Sequence, residues 1–362
     1  MVLNWIKAFA GAAALFTGSA AMAQPVNFEA QFDDTLGTEV RVPTTYKAVY
    51  ETAFEQRISE LAAPYNGRIG VAAVDLATGQ ELSILGDQRF PMASTSKIAI
   101  AATFLEGVDQ GRFTLDERFP LLWPLRSAAF SSKVAPVKAG KSLPASELIE
   151  LMITRSSNPA TDALIAAVGG TEPVNDWMRR QGITEFSLDR DIATLVRDDG
   201  EFDPAQHIDE RDSVTPKAMV RLLRDLYQGR LLSQKSTKVL LGAMDRTVTG
   251  RRRIPAMMPG EANVLHKTGS LNNTSSDVGI IESPDGRAIA VAIYVTGQGS
   301  RLNRERKIAS VARALYDGFS AASNARRVWA NADYPANDND ASGNGAIQAD
   351  RKVGTLKADG VR

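Results

Sequence analysis

Apolar residues recur along the chain at two different spacings. A spacing of three to four residues appears in six segments and predicts amphipathic helices. These segments are YKAVYETAFEQRISEL (46–61), PASELIELMITR (144–155), NPATDALIAAVGG (158–170), TPKAMVRLLRDLYQG (215–229), SQKSTKVLLGAMDRT (233–247) and RERKIASVARALYDGF (304–319).

Two other segments favour strands. RIGVAAVDLATGQELSIL (68–85) has β-branched residues and Leu on both sides of a Thr-Gly turn, and SSDVGIIESPDGRAIAVAIYVTG (275–297) has a Pro-Asp-Gly turn between apolar runs. Strands at both ends of a helical middle predict an α/β (α+β) fold, in which one antiparallel sheet is built from both parts of the chain. We place the sheet domain at 46–93 plus 215–319 and an inserted helical domain at 94–214.

The segment FPMASTSKIAIAATFLEG (90–107) places Lys97 in an almost uninterrupted apolar helix, one turn after Ser94. A lysine in a buried run is costly unless it is paired or deprotonated. This position therefore indicates a lysine with a chemical purpose.

The two ends of the chain differ from the middle in composition. Residues 1–23 combine Lys7, an apolar run and an Ala-Met-Ala sequence, which is typical of a secretory signal peptide cleaved after Ala23. We expect an exported, periplasmic protein with no membrane span in its mature form. Residues 24–45 form a polar lead-in, and 320–362, rich in Ala, Asn, Asp and Gly, are predicted to be disordered.

Charge and residue counts exclude several functions. The 42 basic and 42 acidic residues balance, so nothing favours nucleic acid as a partner. The chain has no cysteine, which removes thiolate chemistry and disulfides. Its two histidines, His207 and His266, are far apart in sequence, and no G-x-S-x-G motif is present. A Ser-His-Asp site and a catalytic metal are therefore not expected, and we expect no cofactor.

A serine can instead be activated by a lysine. Residues at i and i+3 share one face of a helix, so the Lys97 amine is expected within reach of the Ser94 hydroxyl. Burial favours the neutral amine, which accepts a proton, and a helix N-terminus favours an oxyanion. Alone, S-x-x-K is a weak signal, since it often marks a solvated helix start.

Two later segments strengthen this signal. Ser156-Ser157-Asn158 lies between two apolar helices, and Lys267-Thr268-Gly269 precedes a probable strand. With these motifs the sequence resembles the penicillin-recognising serine hydrolases, and class A β-lactamases in particular, from about residue 46 to 318. Their signature is S-x-x-K, S-D-N and K-T-G, and the flanking FPMASTSK, RDSVTPKAM, TVTGRRRIPAMMP and HKTGS also fit.

The resemblance implies a role for each matched residue. Ser94 is the acylated nucleophile, Lys97 its proton partner, and Ser156 a proton shuttle to the leaving nitrogen beside the cation of Lys267. The resemblance also assigns substrate binding to Asn158, which would hydrogen-bond a substrate amide, and to the K-T-G strand. In that strand Thr268 and Gly269 lie at the substrate, and the Ser270 N–H completes an oxyanion hole with that of Ser94.

The chain departs from this pattern at three places. Ser157 replaces the aspartate of S-D-N, which we expect to change the bonding of that loop without removing chemistry. The arginine that many relatives use to hold a substrate carboxylate is missing at Ser275, and Arg253 falls where some relatives supply a substitute. His266, before Lys267, is expected to be structural or to tune that lysine.

The third departure concerns deacylation, for which relatives carry a glutamate in a loop R-x-E-P-x-L-N. Counting forward from Ser156 puts the arginine at Arg190 and Ile192 at the glutamate position. Counting back from RDSVTP puts the arginine at Arg197, with Asp199 at the glutamate position and Glu201 nearby. We prefer the second count, because it preserves an Arg197 to Asp212 spacing typical of the salt bridge that closes the loop.

Three functions are compatible with these residues. The first is an exported serine β-lactamase, monomeric, acting on a small-molecule β-lactam. The second is a cell-wall DD-peptidase or slow acyl hydrolase that β-lactams inhibit. The third, a non-catalytic binding protein, fits less well, because a binder does not need both lysines.

Overall fold

A computed structural model describes residues 52–332. The predicted signal peptide, the lead-in and most of the predicted tail lie outside these residues, as does the start of the first predicted helix. The central sheet has the order β2-β1-β10-β9-β8, with every neighbouring pair antiparallel. Its strands are β1 (Ile69–Asp75), β2 (Glu81–Ile84), β8 (Asn263–Leu271), β9 (Thr274–Glu282) and β10 (Ala288–Thr296).

The sheet is covered by helices on both faces, which explains why its strands read as continuous apolar runs. Along β1, Val71 and Ala73 join a core beneath the first and last helices, whereas Ala72 and Val74 join the core shared with the helical domain. The covering helices are α1 (Ala53–Leu61), α7 (Pro216–Tyr227), α8 (Gln234–Asp245) and α9 (Arg301–Ala332). The fold class expected from the sequence is confirmed.

The helical domain begins with a 3₁₀ turn, Ala93–Ser96, that leads directly into α2. Its helices are α2 (Lys97–Asp109), α3 (Ala145–Thr154), α4 (Asn158–Val168), α5 (Glu172–Arg180) and α6 (Ile192–Arg197). It also contains strands that the sequence did not predict, namely the hairpin β4 (Arg118–Pro124) with β5 (Val137–Pro144) and the two-residue strands β6 (Phe186–Ser187) and β7 (Ser213–Val214). A further two-residue strand, β3 (Phe90–Pro91), lies just before the domain and pairs with β7.

Two predicted boundaries change. Lys267-Thr268-Gly269 lies inside β8, an edge strand, and not before a strand. Helix α9 continues past Ser320, where we expected disorder, to Ala332, because the alanines of SAASNARRVWANA are strong helix formers. No helix between residues 52 and 332 is both long and apolar enough to cross a membrane.

Candidate active site

The nucleophile candidate lies on a backbone held in an unusual conformation. Ala93, just before Ser94, has a φ of +48°, in the left-handed region that residues with a Cβ rarely adopt. Hydrogen bonds to the backbone at this turn oppose the strain: Ser96 Oγ donates to the Ala93 carbonyl at 2.9 Å, and Thr95 Oγ1 donates to the Met92 carbonyl at 2.8 Å. Ser94 itself remains partly exposed, so its hydroxyl is accessible at the head of α2.

Lys97 is fully buried at the start of α2. Its Nζ donates to Ser156 Oγ at 3.1 Å, to the Ser156 carbonyl at 2.8 Å and to Asn158 Oδ1 at 2.8 Å. Burial, with the nearby charge of Lys267, holds the pKa of Lys97 well below its ordinary value. The lowered pKa favours release of a proton from Lys97, and its hydrogen bonds join it to the S-x-N loop.

Ser156 lies between two lysines. Lys267, also fully buried, donates from Nζ to Ser156 Oγ at 3.0 Å and to the Thr268 carbonyl at 2.9 Å. Burial lowers the pKa of Lys267 to about 7, with Asp277 opposing this shift and Arg253 adding to it. A hydroxyl that accepts from two amines keeps its own proton free for a third partner.

Local structure explains how the S-x-N loop presents these groups. Ser156 has a φ of +57°, and Ser157 is the N-cap of α4, its Oγ accepting from the Ala160 N–H at 3.4 Å. Serine is a good N-cap residue, so it starts α4 in place of the aspartate of the usual motif.

The edge strand β8 packs closely on the nucleophile turn because Gly269 has no side chain. A Cβ at Gly269 would lie 2.4 Å from Ser276 Oγ, 2.7 Å from the Met92 carbonyl oxygen and 3.2 Å from Ala93 Cβ. This glycine therefore allows β8 to lie against the turn that precedes Ser94.

Thr268 and Arg253 approach the same end of β8. Thr268 Oγ1 lies 2.8 Å from Thr249 Oγ1. Arg253 is buried, and its guanidinium donates to Ser270 Oγ at 2.6 Å and to the Gly269 carbonyl at 2.7 Å, with Glu305 at 3.4 Å. Arg253 was predicted to help hold a substrate carboxylate. Its contact with the site is the hydrogen bond that it donates to the Ser270 hydroxyl.

His266 precedes Lys267 in β8, so the two side chains lie on opposite faces of the strand. Its Nδ1 is 2.9 Å from Asp277 Oδ1, and both side chains are buried. Asp277 Oδ2 also accepts the Ile254 N–H at 3.1 Å. This pair joins β8, β9 and the segment after Arg253, which supports the structural role expected for His266.

The loop after β6 contradicts the alignment that we preferred from the sequence, in which Arg197 is the loop arginine. Asp212 accepts from Arg190 Nε at 2.6 Å, whereas Arg197 pairs with its neighbour Asp198 at 2.7 Å. The predicted Arg197–Asp212 bridge is wrong, because Arg197 sits at the C-terminus of α6 and is held there by Asp198 and by Ser132. The first count, with Arg190 as the loop arginine and Ile192 at the glutamate position, matches the structure.

Asp199 and Glu201 have partners away from the lysine cluster. Asp199 Oδ2 accepts the Asn272 N–H at 2.7 Å, and Glu201 pairs with Arg211 at 2.6 Å. Both line a cleft with Phe202 and His207, whose rings stack at 4.1 Å. The structure brings Ser156, Asn158 and both lysines together but does not bring these carboxylates into hydrogen-bond contact with them.

Sequence reasoning missed two residues that border the site. Thr249 meets Thr268, and its only sequence signal is its place in the matched TVTGRRRIP segment. Asp162, one turn after Asn158 on α4, is a buried carboxylate without a motif of its own. Within residues 52–332, no three His, Asp or Glu side chains are grouped so as to hold a metal ion.

Ser94 lies one turn before buried Lys97, and the Ser156 hydroxyl joins Lys97 to buried Lys267 on the edge strand. These groups are the residue types that a histidine-free serine acyl-transfer site needs. A sequence profile of the "Beta-lactamase enzyme family" matches residues 53–319. The chain belongs to this family.

Individual relatives and solved structures support this membership. β-Lactamase SME-1 of Serratia marcescens is 30% identical over 247 residues, covering 67% of this chain and 81% of the relative. An ancestral class A β-lactamase structure is 33% identical with a TM-score of 0.64, covering 73% of this chain and 99% of that one. A mutant of PBP-A, solved as an acyl-enzyme complex with penicillin G, is 28% identical with a TM-score of 0.63, covering 74% and 96%.

Proposed function

We propose that the protein is a serine hydrolase that opens β-lactams by forming an acyl-enzyme at Ser94 and then hydrolyses that ester. The observation that carries this proposal is the hydrogen-bonded group of Lys97, Ser156 and Lys267. Penicillin G in the acyl-enzyme complex of PBP-A supports the same first step, as do the β-lactamase relatives.

Acylation follows from the proton positions. Neutral Lys97 takes the Ser94 proton as Oγ attacks the lactam carbonyl, and the N–H groups of Ser94 and Ser270 stabilise the oxyanion. Ser156 gives its proton to the departing nitrogen and is reprotonated from the lysine beside it. Asn158 binds the substrate amide, while Thr268, Thr249 and Ser270, with Arg253 behind, bind the carboxylate.

One observation favours a second candidate, a cell-wall DD-peptidase that β-lactams inactivate. Ile192 occupies the position of the deacylating glutamate and is buried, so the carboxylate that activates water in relatives is missing from that position. Under this candidate the penicillin ester accumulates, because water attack on it is slow.

The decisive experiment is intact-protein mass spectrometry over time after mixing the mature protein with penicillin G, while β-lactam absorbance is followed. A transient adduct with continuing substrate loss supports a β-lactamase. A persistent adduct of one per protein supports the DD-peptidase, and absence of any adduct together with no loss of the β-lactam excludes both. Export remains a prediction, tested by the N-terminal sequence of protein released from the periplasm, and the monomeric state by its mass in solution.

A further inference from the structure

Asp162 on α4 is a buried carboxylate that the proposed mechanism does not use. Its side chain is 4% exposed, and both of its oxygens accept backbone N–H groups, from Ile192 at 2.7 Å and from Ala193 at 2.9 Å. These two amides open α6. Asp162 therefore joins α4 to the loop that carries Ile192.

The same face of α4 meets the reactive lysine. Asp162 follows Asn158 by four residues, so the two side chains lie one helical turn apart on one face. Asn158 Oδ1 accepts from Lys97 Nζ at 2.8 Å. Because the donors of Lys97 Nζ go to Ser156 and Asn158, the Asp162 charge acts on Lys97 through space and not through a hydrogen bond.

The charges around these two groups have opposite effects. Lys267, on β8, disfavours a proton on Lys97, and Asp162 favours one. Burial raises the pKa of Asp162 to about 7, Asp191 at the N-cap of α6 adds to this shift, and Lys97 opposes it. Lys97 and Asp162 are thus a buried pair in which each charge stabilises the other.

We propose that Asp162 is a positioning residue for acyl transfer at Ser94: its carboxylate is the counter-charge of Lys97 and anchors the Ile192 loop to the same helix. The inference rests on the proposed function. In acylation the Ser94 O–H bond breaks and its proton moves to Lys97 Nζ, while the oxygen electron pair forms the ester bond. The lactam C–N bond breaks, and its nitrogen takes the Ser156 proton. In its ionised form Asp162 stabilises the transient ammonium of Lys97 until that proton is returned to Ser156.

Two variants separate the charge of Asp162 from its anchoring. Asp162→Asn removes the charge but keeps an amide oxygen that can accept one of the two N–H bonds. Asp191→Glu displaces the capping carboxylate that accepts the Thr194 N–H at 2.7 Å, which loosens α6 but keeps the charges near Lys97 and Asp162.

The first readout is an NMR pH titration of lysine labelled with ¹³C at Cε, with the Lys97 signal assigned by its loss in Lys97→Arg. Removing a negative charge disfavours the ammonium, so Asp162→Asn is expected to move the Lys97 midpoint to lower pH, and Asp191→Glu, which keeps its charge, to leave it unchanged. An unchanged midpoint in Asp162→Asn, or equal shifts in both variants, overturns the proposal.

The second readout is the rate of penicillin acylation against pH. The acid limb, which reports deprotonation of Lys97, is expected to move to lower pH in Asp162→Asn only. If the unmodified protein is not acylated, the proposed function fails, while the NMR titration still decides the role of Asp162. If acylation occurs and the Asp162→Asn limb does not move, the positioning role fails and the proposed function stands.

Discussion

Arg190 and Asp212 form a closed pair across the loop that carries Ile192, with Arg190 Nε 2.6 Å from Asp212 Oδ2. Asp212 is 2% exposed and has a φ of +48°, and its Oδ1 also accepts the N–H groups of Asp189 and Arg190. One carboxylate thus fixes the backbone and the side chain at the start of the loop. The Arg190–Asp212 pair closes the loop, whereas Arg197 pairs elsewhere. The loop closed in this way brings Ile192 next to α4.

Removing Arg190 is expected to destabilise the protein, because it leaves the buried Asp212 carboxylate without its cation. Arg190→Ala should lower the free energy of unfolding by about 3 kcal/mol. The control is Arg211→Ala, which breaks an exposed pair with Glu201 and should cost less than about 1 kcal/mol. Urea unfolding of the two variants checks this, and equal losses would contradict the assigned loop closure.

Asp199 and Glu201 are tested separately as deacylation bases. Their partners are the Asn272 amide and Arg211. We therefore expect Asp199→Asn and Glu201→Gln each to change the deacylation rate by less than about threefold, far below the effect of losing a general base. The rate is measured from the decay of the penicillin adduct by mass. A loss of more than tenfold in one variant would identify that residue as the base.

Ser94→Ala is expected to abolish the penicillin adduct, since Ser156, the hydroxyl bonded to both lysines, is assigned to proton transfer and Ser94 to the acyl bond. The hydrogen-bonded group of Lys97 and Ser156 does not include the Ser94 side chain, so folding should be unaffected. Ser131→Ala, at an exposed loop serine, is the matched control and should acylate normally. An adduct of full yield on Ser94→Ala would refute the assignment of the nucleophile.

The buried Lys267 predicts a pH-dependent stability. In the unfolded chain this lysine keeps its proton to a pH near its ordinary pKa of 10.5, but in the folded protein its pKa is about 7. The free energy of unfolding therefore rises with pH between these two values. Below pH 7 the lysine is protonated in both states, and burial of its charge destabilises the folded protein most.

Lys267→Met removes that cost. The Tm of the variant minus that of the unmodified protein should be larger at pH 6 than at pH 9, by about 3 °C or more. Lys217→Met, at an exposed lysine paired with Asp87, should show no such dependence. A Tm difference for Lys267→Met that is equal at both pH values would show that Lys267 does not release its proton near neutral pH.

Sequence motifs predicted the reactive cluster well, because S-x-x-K, S-x-N and K-T-G each fix residue types at a spacing that the chemistry requires. The loop was predicted less well. Arg190 and Arg197 both precede Asp212 at a plausible sequence spacing, and only their partners in the folded chain distinguish them: Asp212 for Arg190, Asp198 for Arg197.

Two other features carried too little local signal. The strands β3, β6 and β7 are two residues long, which is too short for an alternating pattern to appear. The position of Thr249 against Thr268 depends on how two distant segments pack, and periodicity contains no information on such a contact.

The pairing of β1 with β10 also determines when this protein can act. Ile69 lies opposite Val295, so the centre of the sheet joins segments more than two hundred residues apart. Ser94 is synthesised early and Lys267 late, and β8 reaches the Ser94 turn only through β9 and β10. A partly synthesised chain therefore contains the nucleophile without its second lysine. The full set of reactive groups is assembled only when the last strand has joined the sheet.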